Sequence, residues 1–274
     1  KERKQKVNFS EPDYHGGLVA VVMKNDGNSS GMSPQSWFSA CIASLSDSFD
    51  RTFMRENRWK LVLEGLKITV LITVLAAIFG TLLAFPVCFL RRAQHAFPRI
   101  LGKLFISLMQ GTPILVILMI LYYVIFAKVN LNAVIVAVIG FGVNFAAYVG
   151  EMLRTGIDSV PRGQREAALA LGFSNTMTFF KVILPQALRQ ILPIYRGEFI
   201  NMLKTTSIVG YIAIQDLTKM SDIIRSRTYE AFFPLIATAA IYFITAWILT
   251  SFLTGLERRL DPLSRRKYAG NGGR

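Results

Sequence analysis

The chain has 274 residues, with 31 Lys and Arg against 17 Asp and Glu, a formal charge of +14, and 52% of it is apolar. Only 18% of residues are charged and mean hydropathy is +0.41, where a soluble domain is about a quarter charged. This composition points into a membrane and excludes disorder and collagen-like repeats, while two Cys (Cys41, Cys88) and two His (His15, His95) dispersed along the chain exclude a disulfide framework and give no zinc-ligand spacing.

The chain starts Lys1-Glu2-Arg3-Lys4, with no Met and no apolar run behind it, which reads as a fragment or processed form. Between Val7 and Lys24 a strand-like apolar run, Leu18 to Met23, follows a Gly-Gly turn. Residues 27–46 are uncharged but too polar and turn-rich to insert, and read as a linker. Residues 51–67 combine Trp59, Leu61, Val62 and Leu63 with five cations, the pattern of an interfacial amphipathic helix that turns its apolar face to lipid.

Four charge-free stretches follow: Ile68 to Leu90, Leu104 to Ala127, Val129 to Gly150 and Ala231 to Leu256. Each is long enough for a bilayer core of about 30 Å, which takes roughly 20 apolar residues as helix. A fifth segment, Ile191 to Ile214, is apolar except for Arg196, Glu198, Asn201 and Lys204. A surface helix is the plainer alternative, but Glu198, Asn201 and Thr205 recur at helical spacing, and ionisable groups inside a membrane mark polar routes. The expected fold is therefore all-α with five spans and termini on opposite sides. Fourteen cations (Arg91, Arg92, Arg99 and Lys103; Arg154 to Arg189; Arg258 to Lys267) fall on one side against nine on the other. By the positive-inside rule this places the N-terminus outside and the C-terminus in the cytoplasm. No basic stripe with interleaved aromatics stands outside the spans, so a nucleic-acid partner is not expected.

The long third connection, about 152–190, reads as two short helices hinged at Gly172. Glu166 to Leu171 are helix formers, Gly172 can take the left-handed C′ conformation, Ser174 or Asn175 can cap the next turn, and Pro185 marks another break. Such a hairpin is a docking surface, or else a loop folded on its own bundle.

Glu166-Ala167-Ala168, then Gly172, then Val182-Ile183-Leu184-Pro185 resembles the cytoplasmic loop motif of bacterial ABC-importer permeases, EAA-x3-G-x9-I-x-L-P, with Val182 in place of Ile. Lys204-Thr205-Thr206-Ser207 resembles the K-x-T-S of the polar amino-acid subfamily. Gln110-Gly111-Thr112-Pro113 is similar to its R-G-T-P, with Gln110 for Arg and Ile117 where Gln is common. The similarity runs from about Trp59 to Lys267. It implies a five-span permease that pairs with a second copy and seats its loop in a separate cytoplasmic ATPase of the inner membrane, with Glu166, Ala167, Ala168, Gly172, Leu184 and Pro185 as coupling residues. The sequence contains no G-x-x-x-x-G-K-[ST], so it holds no nucleotide itself, and ATP and Mg²⁺ belong to the partner. Residues 7–24 are similar to a strand of the receptors that feed such permeases, making 1–50 a receptor remnant with its linker. Residues 68–267 form the transmembrane unit and 268–274 a tail.

The expected route for a polar amino acid follows the polar stripe. Lys204, Thr205, Thr206 and Ser207 would serve the carboxylate and Glu198 and Asn201 the ammonium, because an unpaired buried charge is costly. Asn144, Tyr148 and Glu151 of the third span and the break at Thr112 would add to the same cavity. Arg154 and Arg196 read instead as helix ties. An ion-coupled secondary transporter using Glu198 and Lys204 is the alternative, expecting an inverted repeat that is not seen. A membrane enzyme is a weaker third: H-E-x-x-H and G-x-S-x-G are absent and no span carries His.

Overall fold

The computed structural model describes Ser46 and residues 48–260. The receptor-like stretch 7–24, most of the linker and the tail 268–274 lie outside the described residues. All secondary structure among the described residues is helical: α1 Trp59–Arg92, α2 Ala96–Gly111, α3 Ile114–Ile120 (continued by a π turn Leu121–Ile125), α4 Ala133–Asp158, α5 Arg162–Ala170, α6 Asn175–Thr178, α7 Leu184–Thr205, α8 Leu217–Thr228 and α9 Phe232–Leu260.

Helices α1, α4 and α9 are each long and apolar enough to cross a membrane. The second expected span is not one straight helix, because α2 and α3 meet at 104° across Thr112 and Pro113. Proline lacks an N–H and pushes the residue before it out of the helical region, and Thr112 is extended at φ −108°, ψ 131°. Helix α7 spans 22 residues, and its charged stripe keeps it below the apolarity of the others. The five expected spans fall on α1, the bent α2–α3 unit, α4, α7 and α9, of which three, or four with the bent unit, are long and apolar enough to cross. No separate interfacial helix is found at 51–67. A π turn (Asp50–Met54) and a 3₁₀ turn (Arg55–Asn57) with Glu56 at φ 57° lead directly into α1, which runs unbroken for 34 residues.

The core is the α1–α4 crossing. Ala76, Gly80 and Ala84 on α1 face Gly142, Ala146 and Gly150 on α4, all buried. Four-residue spacing of small side chains puts a smooth groove on each helix and lets the backbones approach. At Gly80 a Cβ would stand 2.5 Å from the Gly142 carbonyl oxygen. Ile72, Leu118, Phe141, Phe145, Val149 and Ile191 pack around this contact. Helix α8 seals the opposite end: Asp216 caps it by accepting the N–H groups of Thr218 and Lys219 at 3.0 Å each, and Leu217 N donates to Thr69 Oγ1 on α1. Helix α9 touches mainly α7 and α8 and turns Phe243, Trp247 and Phe252 outward.

Candidate functional site

Helical periodicity gathers the polar residues at one break in the bundle. Pro113 leaves the Met109 carbonyl without its i+4 donor, and Asn144 Nδ2 from α4 replaces it at 2.9 Å. This bond holds the bent unit against α4 and opens a cavity of about 340 Å³ between the break, α4 and α7. Glu198, Asn201 and Thr205 enter from α7, Asn144 and Tyr148 from α4, and Gln110 and Thr112 from the break. Phe141, Phe145 and Met202 form apolar walls. A carboxylate, amides, hydroxyls and a phenol thus converge inside an apolar bundle, the arrangement of a small polar-ligand site.

Six of the ten residues expected on the route line this cavity: Thr112, Asn144, Tyr148, Glu198, Asn201 and Thr205. Lys204, Thr206 and Ser207 do not. At 100° per residue Lys204 lies about 120° around the helix from Glu198, and it is exposed. From Thr206 the chain tightens into a 3₁₀ turn, Thr206–Ile212, whose three-residue period rotates side chains off the α-helical stripe. Thr206 is buried and donates to the Leu203 carbonyl at 2.7 Å.

Glu151 accepts from Arg91 Nε at 3.3 Å and Arg154 Nη2 at 2.6 Å, while Arg154 reaches Asp158 at 3.0 Å and Asp158 also pairs with Arg92. These pairs tie the loop-side ends of α1 and α4. Arg196 likewise ties α7 to α9 through Glu257 at 2.7 Å and Thr254 at 2.9 Å, in the structural role expected for Arg154 and Arg196. Glu151 still lines a second cavity of about 280 Å³ with Thr155, Ser159 and Gln190, which shares Gln110 and Tyr148 with the first. The two cavities therefore adjoin at Gln110 and Tyr148, and the second, with Met152, Ile191 and Ile194 in its lining, is mainly apolar.

The loop forms the expected helical hairpin. Gly172 has φ +84°, with its N–H on the Leu169 carbonyl and that of Phe173 on the Ala168 carbonyl, the Schellman closure of α5. Ser174 Oγ caps α6 by accepting Met177 N at 3.2 Å. Pro185 does not break the chain. It sits in the first turn of α7, where the missing N–H costs nothing, behind a π turn Phe179–Ile183. Ala168 is buried and Leu184 half-buried, while Glu166, Ala167 and Pro185 are exposed. Leu171 and Phe180, at 79% and 60% exposed, leave an apolar outer face uncovered.

Gln110 and the walls Phe141 and Phe145 were not among the expected route residues. The signal for the two walls was present: Phe141, Phe145, Tyr148, Glu151 and Thr155 step along α4 at three- and four-residue intervals, with Asn144 three past Phe141.

An all-helical bundle of apolar spans around a polar cavity, with a capped hairpin outside, defines a membrane transport subunit. The description "Binding-protein-dependent transport system inner membrane component" matches residues 76–263, and the chain belongs to this family. Among relatives, the L-cystine transport system permease protein TcyB of Bacillus subtilis is 34% identical over 210 residues, 76% of this chain and 90% of that one. The probable amino-acid ABC transporter permease protein YckA of Bacillus subtilis is 36% identical, over 72% of this chain and 88% of that one. A crystal structure of an amino acid ABC transporter with histidines superposes with a TM-score of 0.67 at 37% identity, covering 73% of this chain and 94% of that one. The MetNI methionine transporter shares the fold, with a TM-score of 0.65 at 17% identity over 75% of this chain and 99% of that one.

Proposed function

We propose that this chain is the permease subunit of an ATP-driven importer of polar amino acids, and that the substrate crosses through the Glu198 cavity. The observation that carries the reading is the convergence of Glu198, Asn201, Asn144, Gln110 and Thr112 on one cavity at a helix break. Glu198 compensates the substrate ammonium, and the amides of Gln110 and Asn201 with the Thr112 hydroxyl receive its carboxylate, so neither charge is left bare in the bundle. Thr205, whose hydroxyl already donates to the Asn201 carbonyl at 2.8 Å, retains its lone pairs. The names of the relatives support the substrate class.

The hairpin from Arg162 to Pro185 transmits force from a separate ATPase, which holds the ATP and Mg²⁺. Its exposed Leu171, at the hairpin corner, suits a groove in that partner, and the Schellman corner makes it a rigid knob rather than a floppy loop. A second copy pairs across the membrane to complete the path. The cation count supports an outside N-terminus and a cytoplasmic C-terminus.

The test is uptake of labelled amino acids by proteoliposomes holding the permease and its ATPase. Glu198→Gln and Asn201→Ala should cut ATP-dependent uptake at least about tenfold, the loss of one charge-assisted hydrogen bond, while the ATPase still co-purifies. Parental uptake in both variants refutes the route, and uptake driven by an ion gradient without ATP refutes the class.

A further inference from the structure

The largest of the cavities described lies apart from the substrate route, where α1 and α4 end against the loop hairpin. It measures about 660 Å³. Its lining holds Arg92, Arg162 and Arg165 with Asn175, against a single carboxylate, Asp158. Asp158 is shared, since it pairs with both Arg92 and Arg154, so the cavity keeps a net positive charge. Arg165 is steadied by Asn175 Oδ1 at 3.2 Å. The lining also holds the apolar side chains Ile157, Val160, Phe179 and Ile183.

Guanidinium forks match the oxygens of a phosphate better than any point charge. Apolar lining in the same cavity adds nothing for a free inorganic ion but suits a molecule that is anionic at one end and apolar at the other. The position agrees. Arg92 closes an apolar span, and Phe89, one turn earlier, is 80% exposed. On the other side Phe179 packs edge-on against Phe180 at 5.2 Å, and Phe180 is also exposed. Exposed apolar side chains thus neighbour the lining in sequence at both Arg92 and Phe179, and Arg92 stands at the end of an apolar span, where hydrocarbon gives way to headgroups. Basic pockets at the ends of spans are a known means of holding phospholipid headgroups.

We propose that this cavity binds an anionic phospholipid, its phosphodiester held by Arg92, Arg162 and Arg165 and the start of its acyl chains laid against Phe179 and Ile183. The lipid bridges the ends of α1 and α4 to the hairpin, and so steadies the element that the ATPase must move. The proposal is independent of the substrate route, because its readout is lipid and not transport.

The test uses the full chain with its ATPase in nanodiscs of phosphatidylcholine containing a minor fraction of phosphatidylglycerol, with retained lipid counted by native mass spectrometry after detergent extraction. The variant Arg162→Gln/Arg165→Gln should hold phosphatidylglycerol about thirtyfold less tightly, at the usual worth of two cations near an anionic surface. The control Arg99→Gln/Lys103→Gln removes the same charge from the neighbouring helix α2 and should retain it. Unchanged retention in the cavity variant, or equal loss in the control, overturns the proposal. Displacement of the lipid by inorganic phosphate alone assigns the cavity to a free anion and overturns it as well. Parental lipid retention with loss of the ATPase makes these arginines a seat for the partner protein and overturns it too.

Discussion

The contact of α1 with α4 at Gly80 sets up a substitution whose sign the structure decides. In Gly80→Ala the new methyl would lie 2.5 Å from the Gly142 carbonyl oxygen and 3.1 Å from the Phe145 ring and Cβ, where ordinary contact begins at 3.4 Å. The nearest atom is backbone and cannot swing aside, so the helices must part by the better part of an ångström. Overpacking of this kind costs about 1–3 kcal/mol, while replacing Gly by Ala in a helix gains about 1 kcal/mol. The cost wins, by up to ~2 kcal/mol. Gly255 in α9 has nothing within 4 Å of its would-be Cβ, so Gly255→Ala should show the gain alone. Cys88 is buried beside this crossing and supplies the readout. With Cys41 changed to Ser, a thiol-reactive fluorophore reports the temperature at which α1 and α4 separate. Gly80→Ala should melt below the parent and Gly255→Ala at or above it. A Gly80→Ala protein that melts no lower than the parent would refute the backbone-contact argument.

Two further outcomes are expected. At Gly172, where φ is +84° and a Cβ meets nothing, only backbone strain is at stake. Val should therefore loosen ATPase co-purification most, at about 1–2 kcal/mol, Ala less, and Asn least because it tolerates the left-handed region; equal binding by all three removes the corner from the coupling argument. At the cap of α8, burial raises the Asp216 carboxyl above its ordinary range, against the N–H groups of Lys219 and Thr218 that lower it. A raised folded value means that the stability contributed by protonation is complete below about pH 3.9, the unfolded value, and is lost as pH rises through the folded one. Asp216→Asn keeps only one of the two oxygens that accept Thr218 N and Lys219 N, so it starts below the parent at low pH but should gain on it in thermal melts as pH rises, and a gap that widens against the variant toward alkaline pH would refute the assignment.

Much of this protein was legible in particular residues. Charge-free runs marked α1, α4 and α9 because a bilayer demands length and apolarity of each helix separately, a property of local sequence. The hairpin at Gly172 and the cap at Ser174 were equally local, since positive φ and capping depend on a few neighbouring residues. Glu198, Asn201 and Thr205 were found because a helix converts spacing into a shared face. The reading failed where local regularity changed or a distant element intervened. Lys204 and Ser207 left the stripe when the helix tightened to a 3₁₀ turn, and the second span bent through 104° at a proline. Glu151 was drawn to Arg91 and Arg154, one of them 60 residues away in sequence. Only tertiary packing set that competition, and only it placed Asn144 on the stranded Met109 carbonyl. Sequence alone thus determined which segments enter the membrane and which faces are polar, because those follow from residue type and period. Which polar groups remain open to a ligand was decided by the fold, because a charge or an amide goes to whichever partner the packed helices bring within hydrogen-bond reach.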